Sequence, residues 1–351
     1  MPRERMRSTT RHFQRYYNPD VGNAVRMDTN TNVLGSNPAA EKFLSSNKAD
    51  INDYPNTYSD GLRDALAELY SLERENFVVG SGSDEILDIA FKTFTEWNDN
   101  VTVPVPSYSL YDYFVNMNGG TVCPVDLTDD FQIDVDAMLR PGCKMIIMPS
   151  PNNPTGNSFR PKDIEEILEN SKGIVIVDEA YGEYSGTSMI PKVNEFDNLI
   201  VLRTFSKAYA MAGLRIGYGV SNKNISDMMN CVKIPYSLNI LSEGAAIAAV
   251  KDQGFIRKSV ELVRKNRPSL SDSLKGYGFE PFPSDSNFIL ARSPIDHNVL
   301  TDGLKKKGVL IRDFGSKRRT ENCVRTTVGT EELNGILLDK IEEVMNECRR
   351  I

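Results

Sequence analysis

The chain of 351 residues has very few histidines: His12 and His297 are the only two. Histidine is the most common ligand of catalytic metal ions and the usual base of a Ser-His-Asp triad. Two histidines this far apart argue against a histidine-based metal site and against such a triad. No metal site is expected in this protein.

Cysteine is also sparse, and its pattern is informative. The five cysteines are an odd number, are widely spaced and form no Cys-x-x-Cys pair. This pattern argues against a disulfide framework and against a zinc cluster, and it suits a reducing compartment. We therefore expect a cytoplasmic protein.

Long hydrophobic runs are missing too, since no segment approaches the roughly 18 apolar residues that a membrane helix needs. The 41 basic and 48 acidic residues give a net charge of -7, a poor balance for general nucleic-acid binding. The composition, 40% hydrophobic and 25% charged, is typical of a globular protein with a sizeable core. Neither a membrane nor a nucleic acid is predicted as a partner.

The first 17 residues are rich in arginine, and no apolar segment follows them. A secretory signal is therefore not expected. The segment is predicted to be an exposed basic arm that packs on a neighbouring subunit, and a transit peptide is the alternative.

Short apolar runs alternate with helix-length amphipathic segments over the first two thirds of the chain. This alternation predicts an α/β fold with a mostly parallel central sheet flanked by helices. From about residue 254 the pattern changes to that of a smaller α+β domain. The predicted division is an arm and part of the small domain over residues 1–45, a large domain over 46–253 and a small domain over 254–351.

Polar residues follow four of the predicted strands. They are residues 80–85, 149–156, 178–181 and 203–207. In an open parallel sheet, ligands bind beyond the carboxyl ends of the strands, so these segments should meet at one edge. Together they offer a carboxylate, a carboxamide, a tyrosine, a lysine and a Gly/Ser loop, a set that suits an anionic phosphate and a reactive amine.

Each of these segments also has a simpler interpretation. Residues 82–84 could bind a phosphate at a helix N-terminus or merely cap that helix. A turn would explain Asn153, and Arg215 could bind a phosphate or lie along an apolar surface. Asp178, at the end of a buried strand, needs a cationic partner such as a protonated ring nitrogen. Lys207, at the same edge, is a candidate imine-forming amine.

Several stretches, taken in order, resemble pyridoxal-phosphate (PLP) enzymes of fold type I. They are residues 150–156, 178–181, 203–215, 286–291, 310–313 and 324–330. The chain looks most similar to the histidinol-phosphate aminotransferase family, and the matches run from about residue 28 to residue 330. The resemblance implies the fold type I architecture, with a large PLP-binding domain and a small C-terminal domain.

The resemblance also implies a role for each residue around the cofactor. Lys207 would attach the cofactor covalently and then move the α-proton, and Asp178 would keep the ring nitrogen protonated. Asn153 and Tyr181 would hydrogen-bond the phenolic oxygen, and Tyr108 would stack on the ring. The phosphate would be held by Ser83, Asp84, Thr204, Ser206 and Arg215.

A further phosphate contact is implied to come from Tyr54 of the other subunit, which predicts a homodimer with shared active sites. On the substrate side, Arg325 matches the arginine that binds the anionic group, and Arg312 matches a second one. Asn153 also lies on the substrate side. Tyr16 or Tyr17 matches a pocket tyrosine only loosely, and Arg312 could instead serve in an ion pair.

The segment over residues 28–35 departs from the family pattern. The family usually has Asn-Glu-Asn-Pro there, whereas this chain has Thr31 in place of the Glu and Val33 in place of the Pro. The ending over residues 32–35 resembles that of threonine-phosphate decarboxylases. The departure bears on the substrate and not on the cofactor.

The leading hypothesis is a PLP-dependent aminotransferase of histidine biosynthesis that works in two half-reactions. Its amino donor would be histidinol phosphate or an aromatic amino acid, and its acceptor 2-oxoglutarate. The alternative is a PLP-dependent decarboxylase of a phosphorylated amino acid, which breaks a different bond with the same groups. A non-catalytic regulator is a third possibility, disfavoured because Lys207 is present.

Overall fold

The computed structural model describes residues 3–11, 13, 22–46, 50–140 and 142–349. Its strands, in chain order, are β1 Val25–Arg26, β2 Phe77–Gly80, β3 Asn100–Val105, β4 Thr121–Asp126, β5 Met145–Pro149, β6 Ile174–Asp178, β7 Leu199–Thr204, β8 Gly217–Ser221, β9 Glu280–Pro281, β10 Phe288–Arg292, β11 Val309–Leu310, β12 Arg312–Asp313 and β13 Cys323–Thr327.

The α-helices are α1 Pro38–Ser46, α2 Asp60–Tyr70, α3 Ser83–Phe94, α4 Leu110–Met117, α5 Val135–Leu139, α6 Pro161–Asn170, α7 Gly182–Ser185, α8 Lys223–Val232, α9 Ile240–Lys251, α10 Gln253–Gly276, α11 His297–Lys306 and α12 Glu331–Cys348. Short 3-10 helices lie at Arg3–Arg5, Ser8–Thr10, Arg74–Asn76, Ile190–Lys192 and Ala212–Leu214. No helix of the described ranges is long and apolar enough to cross a membrane.

Seven strands form the central sheet in the order β2-β8-β7-β6-β5-β3-β4. Only β8 runs antiparallel to its neighbours, β2 and β7. The other pairings are parallel. The predicted mostly parallel sheet is therefore confirmed. Its central strands are continuous apolar runs because both faces of the sheet are covered.

Successive residues of one strand enter two different cores. In β6, Val175 and Val177 pack into the larger hydrophobic cluster, whereas Ile176 packs into the cluster on the opposite face. This alternation follows from the two-residue period of a strand. Helices cover both faces, so the sheet edge is the natural place for a ligand.

A second, antiparallel sheet has the order β12-β13-β10-β9. The helix α10 packs on β9 and β10, and α11 packs on β12, β13 and α12. The short strand β1 pairs in parallel with β11, so residues 25–26 join this C-terminal part. The exact division into domains stays a prediction.

Side-chain caps define where several helices begin. A side-chain oxygen of the residue before the helix accepts a hydrogen bond from a backbone N–H of the first turn, which would otherwise lack a partner. The caps of this kind include Asn222 for α8, Asn239 for α9, Asp296 for α11 and Thr330 for α12.

The described part of the N-terminal arm contacts its own chain. The guanidinium of Arg7 lies 5.9 Å from the ring centroid of Trp97, and the ring of Phe13 lies 4.7 Å from that of Tyr113. The predicted contact with a neighbouring subunit stays a prediction.

A buried ion-pair network joins the ends of β6 and β7. Arg203 donates to Glu179 Oε2 over 3.0 Å and to Glu183 Oε1 over 2.9 Å. The Glu179 carboxylate also accepts from the backbone N–H of Met189 and from Ser188 Oγ. Burial raises the pKa of Glu179, and Arg203 counteracts that rise. The arginine therefore keeps two buried carboxylates compensated beside the sheet edge.

Replacement of Arg203 by Met should lower the free energy of unfolding by about 3–5 kcal/mol, because it leaves two buried carboxylates without a cation. Urea denaturation followed by circular dichroism measures the loss. The matched control is Arg74→Met, which breaks an exposed pair with Asp64 and should leave the free energy of unfolding nearly unchanged, because solvent screens that pair. Equal losses in the two variants would contradict the role of Arg203.

Candidate functional site

A cavity of about 650 Å³ opens at the carboxyl edge of the central sheet. It is lined by all but one of the site residues predicted from the sequence, namely Ser83, Asp84, Tyr108, Asn153, Asp178, Tyr181, Thr204, Ser206, Lys207, Arg215, Arg312 and Arg325. These residues come from segments that are far apart in the chain, and the parallel strands bring them together.

Lys207 follows β7, and its amine lies inside this cavity. Its Nζ donates to the backbone carbonyl of Thr29 over 3.1 Å and lies 5.5 Å from the ring centroid of Tyr181. Within the described ranges, no carboxylate forms an ion pair with this amine. An amine held by a neutral carbonyl is free to act as a nucleophile or a base once it is deprotonated.

Asp178 ends β6 with its side chain at the bottom of the cavity, and the residue is only 6% exposed. Burial raises the pKa of the Asp178 carboxyl to about 6, although two hydrogen bonds act in the opposite direction. They come from the Tyr111 hydroxyl over 2.7 Å and from the Ala180 backbone N–H over 3.0 Å. No cation of the described ranges pairs with this carboxylate, so a protonated ring nitrogen would supply the missing charge.

Tyr111 was not among the residues predicted from the sequence. Its side chain is fully buried on α4 and touches Tyr108 edge-on, with ring centroids 5.4 Å apart. The one sequence feature that points to Tyr111 is its position three residues after Tyr108, because residues three apart lie on one side of a helical turn. Nothing in the sequence indicated that its hydroxyl would meet Asp178.

The opposite end of the cavity suits a phosphate. Helix α3 begins at Ser83, so the first backbone N–H groups of the helix are available to an anion. Gly82 precedes it with φ of 85°, and a Cβ at that position would lie 2.7 Å from Arg215 Nη2. Glycine therefore allows the loop to approach the arginine closely.

Hydroxyl groups and the arginine complete this phosphate end. Thr204 Oγ1 donates to Ser206 Oγ over 3.0 Å. Arg215 donates to Asp84 Oδ2 over 3.1 Å. The sequence analysis gave Asp84 a role through its backbone N–H, and the structure adds this ion pair through its carboxylate. A bound phosphate would share the guanidinium with Asp84.

Two arginines from the second sheet line the cavity, one buried and one exposed. Arg312 of β12 and Arg325 of β13 are direct partners in the antiparallel register, so their side chains share one face of the sheet. Arg325 donates to Asn153 Oδ1 and, over 2.8 Å, to the carbonyl of Asp28. Its guanidinium also lies 5.0 Å from the ring centroid of Phe288. Arg325 is thus firmly oriented, whereas Arg312 is exposed.

The segment that departs from the family pattern forms one wall of the cavity. Asn30 is buried and donates through Nδ2 to the Tyr181 hydroxyl over 3.1 Å. Asn32 donates to the carbonyl of Ala208 and to Ser259 Oγ, which ties the segment to the chain beside Lys207. Thr31 lines the cavity itself. The expectation that this segment lies beside the site agrees with its position.

One predicted residue lies away from the cavity. Tyr54 is 81% exposed, and its ring stacks on that of Tyr236 with centroids 4.9 Å apart. It therefore does not reach the cavity of its own chain. Tyr16 and Tyr17 lie outside the described residues.

Comparison with known proteins gives a consistent result. The sequence model of a family described as aminotransferase class I and II matches residues 23–341. The chain is 34% identical to a histidinol-phosphate aminotransferase of Thermoanaerobacter pseudethanolicus, over 97% of this chain and 98% of that protein. It is also 34% identical to one of Pyrococcus furiosus, over 96% and 97% of the two chains.

A solved structure has the same fold. It is the histidinol-phosphate aminotransferase of Sinorhizobium meliloti in complex with pyridoxal-5'-phosphate, which superposes with a TM-score of 0.86. The match covers 93% of this chain and 92% of that one at 24% sequence identity. The fold type expected from the sequence is therefore confirmed.

The buried Asp178 should destabilise the cofactor-free protein at neutral pH. Its pKa is about 6 when folded and 3.8 when unfolded, so the folded state binds more protons between these values. Stability therefore falls as the pH rises through this window. Asp178→Asn should stabilise the cofactor-free protein by up to about 3 kcal/mol at pH 7–8, with no gain near pH 4.

Thermal and urea denaturation of the cofactor-free protein across this pH range measure the effect. Asp227→Asn, at an exposed site on α8, is the matched control and should change stability by less than about 0.5 kcal/mol. A less stable Asp178→Asn protein at pH 7–8 would show that burial does not dominate at this carboxylate.

Proposed function

The chain belongs to the aminotransferase class I and II family, and we propose that it transfers the amino group of histidinol phosphate to 2-oxoglutarate. It is a PLP-dependent aminotransferase. The single observation that carries the assignment of the site is the meeting, in one cavity, of the Lys207 amine, the Asp178 carboxylate and a phosphate-binding helix N-terminus.

The residues present fit the cofactor. Asp178, which has no cation in the described chain, would face the ring nitrogen, and Tyr108 would cover the ring. Tyr181 and Asn153 would bind the phenolic oxygen. The phosphate would be held by the backbone N–H groups of Ser83 and Asp84, the hydroxyls of Thr204 and Ser206, and Arg215.

The cofactor, when bound, supplies an electron sink for the pair of electrons left when the Cα–H bond of the amino donor breaks. Lys207 Nζ takes that proton and later returns it, which its place in the cavity permits. Asp178 would keep the positive charge on the ring nitrogen of the bound cofactor, and the hydrogen bond from Tyr111 orients the carboxylate and favours its ionised form.

The pair of arginines supports histidinol phosphate and 2-oxoglutarate as substrates. The planar guanidinium of Arg325 offers two-point contact to a carboxylate or phosphate, and Arg312 offers a second cation opposite to it. A pocket of this kind accommodates a phosphate ester in one half-reaction and a dicarboxylate in the other. The names of the relatives with 34% identity support the same donor.

We also propose a homodimer in which each protomer completes the site of the other. The supporting observation is the exposed stack of Tyr54 on Tyr236, which lies outside the cavity of its own chain. Large exposed aromatic side chains are typical of an interface. The five cysteines are all free thiols, which supports a location in the cytoplasm.

The half-reaction tests the proposed donor. The PLP-loaded protein is mixed with histidinol phosphate without any oxo acid, and the visible absorbance of the bound cofactor is followed. The absorbance should decline and should return on addition of 2-oxoglutarate. Initial rates with both substrates varied should then give the parallel double-reciprocal lines of a two-stage reaction.

The control is Lys207→Ala, which should bind the cofactor without becoming covalently attached on borohydride treatment and should not turn over. An unchanged absorbance with histidinol phosphate would reject that donor, and aromatic amino acids would be screened next. Carbon dioxide release from threonine phosphate without consumption of an oxo acid would instead establish the decarboxylase alternative.

Mixed dimers test the shared site. We expect the Tyr54→Ala protein and the Lys207→Ala protein each to be inactive when the cofactor is limiting. Mixing the two proteins should restore about a quarter of the wild-type activity. In a mixed dimer with shared sites, both substitutions fall in one site and the other is intact. No recovery after subunit exchange, verified by mass spectrometry, would place Tyr54 outside the partner's site.

A further inference from the structure

The connection between β12 and β13 is unusually basic and lies at the mouth of the cavity. Arg312 and Arg325 belong to its two strands, and Lys317, Arg318 and Arg319 belong to the turn between them. The cavity is lined by Arg312, Lys317, Arg318 and Arg325. Only those cations whose charge is not neutralised by an acid of the chain can attract a substrate anion strongly.

Two of the five cations form ion pairs with acids of the chain. Arg318 pairs with Asp126, and Arg319 pairs with Asp129 over 2.9 Å. Arg325 donates to two neutral oxygens, Asn153 Oδ1 and the carbonyl of Asp28, and it remains the arginine proposed above to bind the anionic group of the substrate. Arg312 and Lys317, by contrast, have no hydrogen-bond or ion-pair partner for their side chains within the described ranges, and both are exposed.

The backbone that carries Lys317 is well held. The buried Thr320 hydroxyl donates to the carbonyl of Phe314 over 2.9 Å, and the N–H of Lys317 donates to the same carbonyl over 2.9 Å. Gly315 packs against the ring of His297, where a Cβ would lie 2.1 Å from Cγ. The two ion pairs to Asp126 and Asp129 fix the residues that follow Lys317. The backbone from which the Lys317 side chain extends therefore has a defined position at the cavity.

The acids that line the cavity compensate this positive charge only in part. Asp28 pairs with Arg26 and Asp84 with Arg215, and Asp178 lies at the bottom with Tyr111. Asp112 and Asp313 are the two other lining carboxylates, and Asp313 Oδ1 lies 2.9 Å from His297 Nδ1.

We propose that Lys317 acts with Arg312 as the second cation of a subsite that selects substrates ending in a dianionic phosphate monoester. A phosphate monoester carries a charge of about -1.5 to -2 at pH 7 and three acceptor oxygens, which match two cations. The side chain of an aromatic amino donor carries no charge that Lys317 or Arg312 could bind. Lys317 thus distinguishes between the two kinds of amino donor considered above, and the inference rests on the proposed function.

Binding of a non-reactive phosphate ester tests this role directly. Phenyl phosphate and phenylacetate, which share the ring but differ in charge, are titrated by calorimetry into the PLP-loaded protein in phosphate-free buffer. Lys317→Met should weaken phenyl phosphate binding about tenfold and phenylacetate binding by less than about threefold. Lys317→Arg should keep phenyl phosphate within about threefold of wild type.

The matched control is Lys305→Met, an exposed lysine of α11 that does not line the cavity, and it should leave both ligands unchanged. The difference between wild type and Lys317→Met should shrink as ionic strength rises, because the group is exposed. An equal loss for both ligands, or no loss for phenyl phosphate, would overturn the inference.

Steady-state kinetics separate this inference from the proposed function. With histidinol phosphate, Lys317→Met should raise KM about tenfold and keep kcat within about twofold, while KM for an aromatic donor stays unchanged. Turnover of histidinol phosphate with an unchanged KM would overturn the role of Lys317 and leave the proposed function intact. Lys317-dependent binding of phenyl phosphate without turnover of histidinol phosphate would support the subsite and reject the proposed donor.

Discussion

The site depends on a buried carboxylate that pairs with no cation among the residues the structure describes. Asp178 ends a strand that lies between two others in the sheet, and its oxygens are met by the Tyr111 hydroxyl and a backbone N–H. Burial raises the pKa of this carboxyl, so the protein alone does not stabilise its charge fully. In the proposed function the cofactor would supply the missing charge, which would link cofactor binding to the electrostatics of the core.

The residue next to Asp178 is treated in the opposite way. Glu179 is equally buried, but Arg203 from the adjacent strand compensates it, and Glu183 shares the same guanidinium. Asp178, the last residue of β6, and Glu179, the residue after it, thus have different roles. Glu179 joins β6 to β7 and holds the sheet edge together, whereas Asp178 is left for a ligand. Structural and functional carboxylates are distinguished by whether the protein itself supplies the cation.

At the mouth of the cavity, the same distinction separates basic residues. Arg318 and Arg319 connect the β12–β13 turn to the last residue of β4, Asp126, and to Asp129 just beyond it. Arg325 is oriented by Asn153. Arg312 and Lys317 have no ion-pair partner in the described part of the chain, and together with Arg325 they are the cations proposed to meet a substrate anion. The carboxylate at the bottom and the cations at the mouth therefore come from different parts of the fold, and residues 28–31 line the same cavity.

The sequence alone determined the fold class, the cofactor and the edge of the sheet where the site lies. Apolar runs specify buried parallel strands, and the residues directly after them must meet at one edge. The partners of those residues were decided by tertiary structure. Tyr111 reaches Asp178 across 67 positions, and Asp126 neutralises Arg318 across 192. Sequence patterns record local periodicity, whereas the neutralisation of a charge depends on side chains that only packing brings together.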